Sequence, residues 1–137
     1  MENCLFCKFI KHEIPVCIVY EDDQVLAFLD IHPSSPGHTM VIPKKHVLNL
    51  FELSQEETGE LFEQVKKIAL HIKSSELQPA GFNIGVNHWR AAGQEIEHLH
   101  VHIIPRWKDD GGGSIQSIVG NTPKESLEEI LKKIKMN

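Results

Sequence analysis

The stretch His98-Leu99-His100-Val101-His102-Ile103-Ile104-Pro105 sets histidines against aliphatic residues in strict alternation. Successive side chains of an extended strand point to opposite faces. The spacing therefore predicts a strand with His98, His100 and His102 on one face and Leu99, Val101 and Ile103 on the other. Histidine is neither a strong strand former nor cheap to bury, so the pattern points to chemistry on the first face and a core behind the second. At about 3.3 Å per residue, the Cα atoms of His98 and His102 stand roughly 13 Å apart. Zinc sits about 2.0 Å from an imidazole nitrogen, so the spacing argues against a single ion held by all three histidines; two neighbours could still share one, but the row as a whole is expected to divide its labour.

Working outward, Asn87 to Gln94 reads as a polar, glycine-containing loop leading into the histidine strand, and Gly81 to Val86 as a strand before it. Upstream, Leu61, Phe62, Val65, Ile68, Ala69 and Ile72 share one face of a helix from about Ser54 to Ile72, with Ser54 and Glu57 as its capping box. Val16 to Tyr20 and Val25 to Leu29 form a predicted hairpin, and His38 to Ile42 a strand stopped by Pro43. Asn3 is the expected cap of a short helix carrying Leu5, Phe6, Phe9 and Ile10. At the other end Thr122, Pro123 and Glu125 predict a helix over 122–135 with Leu127, Ile130, Leu131 and Ile134 on its apolar face. There is no internal repeat and no long linker, so 1–137 reads as one domain. Strands mostly joined by short turns favour an α+β fold with a mostly antiparallel sheet of about five strands, one long helix and two shorter ones.

The 137 residues carry a net charge of -5, with 41% hydrophobic and 24% charged residues, ordinary values for a globular domain. The acidic balance and only two arginines, Arg90 and Arg106, argue against a nucleic-acid polymer as partner. No apolar run approaches the roughly 18 residues of a membrane span, and no basic-then-apolar leader is visible, so a cytoplasmic location is expected. Three cysteines are an odd number for a disulfide scaffold. Cys17 reads as a small buried hydrophobe. Cys4 and Cys7 form a C-x-x-C pair, and with only three residues before it a metal site is favoured over a redox couple. Two more ligands are needed from nine histidines, and His46 with His98 is one candidate pairing. The bland alternative leaves His46 in a turn and the cysteines packing on a helix. The small residues Ala91-Ala92-Gly93-Gln94, with Asn87, suit a loop whose backbone N–H groups approach a phosphate.

These residues resemble the histidine triad superfamily, whose motif alternates three histidines with hydrophobic residues. Glu13-Ile14-Pro15, Tyr20-Glu21-Asp22-Asp23, Leu26-Ala27-Phe28-Leu29-Asp30-Ile31, Pro33, Pro36-Gly37-His38, Val41-Ile42-Pro43-Lys44-Lys45-His46 and Gly93-Gln94 occur in the family's order. The resemblance implies that His100 is a nucleophile attacking the α-phosphate of a nucleotide conjugate, giving a nucleotidyl-histidine that water hydrolyses to a purine nucleoside monophosphate. It implies that His102 contacts phosphate and helps protonate the leaving group. Asn87, Gly93 and Gln94 match the phosphate loop, with Glu95 beside them a candidate through its backbone N–H; Asp30 matches the ribose acceptor, and Ile14, Phe28 and Ile31 the purine pocket. Cys4, Cys7, His46 and His98 match the structural zinc site of zinc-containing members, residues 1–12 then forming a metal-binding helix segment. Magnesium accompanying the substrate phosphates is a further candidate cofactor.

The resemblance also implies a homodimer. Glu95 departs from the Ser or Thr common in two branches, and its carboxylate is expected to point outward. The chain beyond Pro105 favours a dinucleoside polyphosphate hydrolase-like branch, with a nucleoside phosphoramidase or a nucleotide-binding dimer of little turnover as alternatives. A metalloenzyme using strand histidines as ligands is the remaining class. His88-Trp89-Arg90 is the candidate lining of the leaving-group side, and His12, His32, His71 and His88 read as solvated.

Overall fold

In the computed structural model, which describes residues 3–137, five strands form one antiparallel sheet in the order β1-β2-β3-β5-β4. They are β1 (Ile18–Glu21), β2 (Val25–Leu29), β3 (Thr39–Pro43), β4 (Gly81–Gly85) and β5 (Val101–Arg106). Helices α1 (Leu5–Ile10), α2 (Gln55–Lys73) and α3 (Leu127–Ile134) complete the α+β architecture. Met1 and Glu2 of the expected 1–12 segment lie outside the described residues.

The central strands are covered on both sides, which is why Val25-Leu26-Ala27-Phe28 and Met40-Val41-Ile42 are apolar without interruption. Val25, Ala27, Val41, Leu99, Val101 and Ile103 face Leu61, Val65, Ile68 and Ile72 of α2. Leu26, Phe28, Met40 and Ile42 face the other way, onto Phe6 and Phe9 of α1. The six-residue helix α1 covers only part of that second face. His100, buried against the Phe6 ring, and the partly buried His102 stand where that cover ends, on the lining of a cavity.

Ser54 caps α2 as expected, its Oγ accepting from the Glu57 N–H while the Glu57 carboxylate accepts from the Ser54 N–H. Ser54→Ala is expected to cost about 1 kcal/mol and to lower the melting temperature by a few degrees in a thermal melt.

Several boundaries differ from expectation. Cys4, not Asn3, caps α1, because its Sγ accepts the Cys7 N–H at 3.4 Å. Strand β1 starts at Ile18 rather than Val16, with a register shift between Ile18 and Tyr20, and Cys17 is exposed rather than buried. Strand β5 starts at Val101 rather than His98: the ladder with β3 ends at Val41 and Val101, and the Leu99 N–H turns to the Val47 carbonyl at 2.8 Å. Helix α3 is capped by Ser126, whose Oγ accepts from Glu129 N–H, so Thr122 and Pro123 precede it, while Glu125 pairs with Lys133 instead of serving a cap. Its apolar face is not part of the core, Leu127 and Ile134 being 78% and 70% exposed.

Candidate active site and metal site

Strand β5 and the segment entering it supply the histidine row, and the three rings have different surroundings. His98 is fully buried, and its Nε2 lies 2.8 Å from the Pro43 carbonyl. Only an N–H bonds to a carbonyl, so Nε2 carries the proton and Nδ1 keeps a lone pair. That lone pair meets Cys4 Sγ at 3.5 Å, Cys7 Sγ at 3.7 Å and His46 Nδ1 at 3.2 Å, with Cys7 Sγ to His46 Nδ1 at 3.3 Å. Around tetrahedral zinc, bond lengths of about 2.3 Å to sulfur and about 2.0 Å to nitrogen place S and N about 3.5 Å apart and two N atoms about 3.3 Å apart. The four measured separations are close to the matching edges of that tetrahedron, and all four donors lie within 4.8 Å of one another. The Pro43 carbonyl behind His98 is the outer-shell partner a metal-bound imidazole needs. Burial pushes the His98 imidazole down to about 4, and burial with Cys4 beside it raises the Cys7 thiol.

His100 uses the same strategy in the opposite sense. Its Nδ1 lies 2.8 Å from the His98 carbonyl, so Nδ1 holds the proton and Nε2 the lone pair. The edge of the packing, at 5.2 Å between ring centroids and 86° between planes, is the Phe6 ring. Burial lowers the His100 imidazole, keeping it neutral.

His102 is ordered by a residue the sequence reading placed only at the head of a strand. The His38 Nδ1 accepts the Ser34 N–H at 3.1 Å, so His38 Nε2 carries the proton and donates to His102 Nδ1 at 2.9 Å. His102, neutral, then carries its own proton on Nε2. Asp30 stands behind, its Oδ2 3.7 Å from His38 Nε2 and its Oδ1 accepting the His32 N–H. Asp30, His38 and His102 offer donors within 4.8 Å of one another, but the Ser34 bond leaves His38 Nε2 protonated and unavailable as a ligand.

His102 is held down to about 4, by burial first and then by His100 and His38. An unfolded histidine at 6.5 binds its proton more readily, so this residue adds stability above about pH 6.5 that is lost as the pH falls towards about 4. Melting temperatures measured between those limits are expected to fall with pH, and His102→Gln to flatten part of the slope.

His100 and His102 line a cavity of ≈510 Å³. Phe28 and Ile31 line its apolar side, with Phe6, Phe9 and Val16, which the sequence reading did not assign to the site. Asp30, Asn87, Gly93 and Glu95 supply polar lining. Gly93 holds φ +100, a left-handed conformation that glycine adopts without strain. Glu95 is exposed. Ile14 packs on the Phe6–Phe28 cluster and does not line the cavity. The Gln94 side chain turns inward, accepting the Trp89 N–H and donating to the Leu48 and Ile96 carbonyls, and so braces the loop. His88 and Trp89 pack against the Phe51 ring, tilted and edge-on respectively, and Arg90 lines an opening beside Cys4 and His46.

The model of the HIT domain matches residues 11–109, which takes in the whole histidine row. This chain belongs to the HIT domain family. A HIT-like protein of Methanocaldococcus jannaschii without an assigned activity is 46% identical over 96% of this chain and 98% of its own. The adenosine 5'-monophosphoramidase hnt1 of Schizosaccharomyces pombe is 37% identical over 97% of this chain and 99% of its own. A zinc-bound histidine triad family protein from Mycobacterium smegmatis superposes on this HIT-domain chain with a TM-score of 0.77, at 35% identity, covering 80% of this chain and 79% of that one.

Proposed function

We propose that this protein hydrolyses a purine nucleotide conjugate at its α-phosphate through a nucleotidyl-His100 intermediate. The observation that carries the reading is the 2.8 Å bond from His100 Nδ1 to the His98 carbonyl, which leaves a neutral nucleophilic nitrogen on a ring lining the cavity. The phosphoramidase activity of the S. pombe relative supports a hydrolase. The base lies against Phe28 and Ile31, the ribose hydroxyls against Asp30, and the phosphate against the loop of Asn87, Gly93 and Glu95. His100 Nε2 attacks phosphorus, and His102 Nε2–H donates to the departing atom, with His38 holding that tautomer. Water then displaces His100. The test is mass spectrometry of protein quenched with an adenosine conjugate: an adduct of one nucleoside monophosphate is expected, and binding without any adduct or turnover would favour a nucleotide-binding protein instead.

Cys4, Cys7, His46 and His98 are proposed to hold zinc structurally, tying α1 to the entry of β5. Any magnesium would arrive bound to the substrate phosphates, since the Asp30 carboxylate is engaged by His32 and His38. A homodimer is supported by the unpaired outer edge of β4 and by Phe62 and Leu70 exposed on α2. Sedimentation equilibrium is expected to give twice the 15.6 kDa chain mass; a mass that stays monomeric across the accessible concentrations would reject it. Among the described residues no helix is long and apolar enough to cross a membrane.

A further inference from the structure

Cys4, Phe6 and Cys7 share one turn of chain, and they serve two different sites. Cys4 and Cys7 stand in the donor cluster with His46 and His98. Phe6, between them, meets the His98 ring edge-on at 5.9 Å and the His100 ring at 5.2 Å between centroids. With Leu5 and Phe9 it also lines the nucleotide cavity. Helix α1 is therefore a wall of that cavity, and its cap and third residue belong to the donor cluster. So short a helix does not hold itself in water. It keeps its place through Phe6 and Phe9 on the sheet and through the two cysteines.

The cluster is open on one side. Cys7 is buried, but Cys4 is half-buried and lines an opening of ≈670 Å³ with His46 and Arg90. The Cys4 Sγ accepts the Cys7 N–H at 3.4 Å, and the two sulfurs lie within 4.8 Å of each other. Residues three apart across one helical turn have Cα atoms about 5–6 Å apart, inside the span of about 4.4–6.8 Å that a disulfide needs. The pair can bridge by turning its side chains, with the backbone of α1 in place. Cys17, the third cysteine, is exposed and outside the cluster.

We propose that Cys4 and Cys7 form an oxidation site: a peroxide closes them into a disulfide, the metal is given up, and the hold of α1 on the nucleotide cavity loosens. The proposal rests on the zinc reading above. A lone pair of the Cys4 thiolate attacks one peroxide oxygen, the O–O bond breaks and hydroxide leaves, giving a sulfenic acid. The Cys7 thiolate then attacks Cys4 Sγ; the S–S bond forms, the S–O bond breaks and a second hydroxide leaves. Each thiolate has lost one electron, and hydrogen peroxide has been reduced to two hydroxides. The thiolate is the metal ligand and a disulfide sulfur is not, so only His46 and His98 remain of the four donors. The consequence reaches His100 by two routes. Phe6 loses the tie on either side of it, and the carbonyl that accepts from His100 Nδ1 at 2.8 Å belongs to His98, which has lost its anchor.

The experiment uses the full chain carrying Cys17→Ser, so that Cys4 and Cys7 are the thiols left, before and after one equivalent of hydrogen peroxide. One zinc per chain is expected at the start, passing to a chromogenic chelator in step with the loss of both free thiols. Peptide mass mapping should find a Cys4–Cys7 disulfide. Amide exchange should quicken in α1 and stay unchanged in α2. Adenosine 5′-monophosphate should bind about tenfold more weakly or worse, since apparent affinity falls with the fraction of chains whose α1 is docked. Dithiothreitol with added zinc should restore every reading. Cys4→His in the same background offers four donors and a single thiol, so its zinc and its affinity should outlast the peroxide; if it holds no metal, the mapping and release in Cys17→Ser decide alone. Zinc retained through oxidation, a sulfinic acid in place of the disulfide, or zinc release with affinity and α1 exchange unmoved overturns the proposal. No zinc before the oxidant is added rejects the zinc reading and takes the proposal with it. Failure of the reduced protein to bind the nucleotide rejects the nucleotide reading instead, and exchange in α1 then decides whether the disulfide loosens it.

Discussion

His100→Ala should abolish the trapped nucleotide adduct and lower kcat by roughly 10⁴- to 10⁶-fold, the scale seen when a covalent nucleophile is removed from its site. The expectation follows from how the ring is held. The His98 carbonyl fixes the Nδ1 proton, Phe6 meets the ring edge-on, and burial keeps the ring neutral. Neither His38 nor His102 can replace it: His38 has both nitrogens engaged by Ser34 and His102, and His102 accepts at Nδ1 and carries its proton on Nε2. A direct attack by water would lose both the positioned nucleophile and the two-step path. The fold should survive, because His100 contributes one backbone-directed bond and edge-on ring contacts to Phe6 and His102 at the lining of the cavity, outside the apolar clusters. His100→Gly makes the sharper measurement: added imidazole should restore part of the turnover and carry the nucleotidyl group away as free nucleotidyl-imidazole. Turnover of His100→Ala near the wild-type rate would sink covalent catalysis at this residue.

Chelating the metal, or changing Cys7 to Ser, is expected to lower the melting temperature by on the order of 10 °C or more, a loss of several kcal/mol. The four donors come from α1 and its cap, from the segment after β3 and from the entry to β5, so a zinc ion held by them would close loops spanning up to 94 residues. Without it, Cys7 and His98 are left as buried polar groups facing one another. The chemistry should respond differently from the stability. At a temperature where the apo protein remains folded, adduct formation should persist, since no donor of this cluster lines the reacting cavity. A reduced rate is expected all the same, because the carbonyl that orients His100 belongs to His98. Metal analysis should give one zinc per chain, lost in Cys7→Ser. Loss of all chemistry in folded, metal-free protein would move the metal into the reaction and reject a structural role.

Much of this site could be read from short-range pattern. The alternation at 98–105 announced the two-faced strand, and the structure keeps its consequence, with Leu99, Val101 and Ile103 all buried against α2. Ser54 with Glu57 marked the start of α2 correctly, because a capping box is complete within four residues. The same logic erred at the last helix, where Thr122 with Glu125 and Ser126 with Glu129 are both capping signals and the second is the one used. The family resemblance assigns Gln94 to the phosphate loop. Its side chain instead satisfies the Leu48 carbonyl, 46 residues away, and no local pattern contains that partner.

The sequence by itself determined roughly where the strands and helices lie, and it argued against one ion shared by His98, His100 and His102, because side-chain direction and rise per residue are local properties of the backbone. Only the tertiary structure decided what each ring does. His38 reaches His102 across 64 residues, and His98 reaches Cys4 across 94. Those meetings depend on strand order and register, with Met40 and Gly85 flanking His102, and the free energy that sets register is the burial of whole faces.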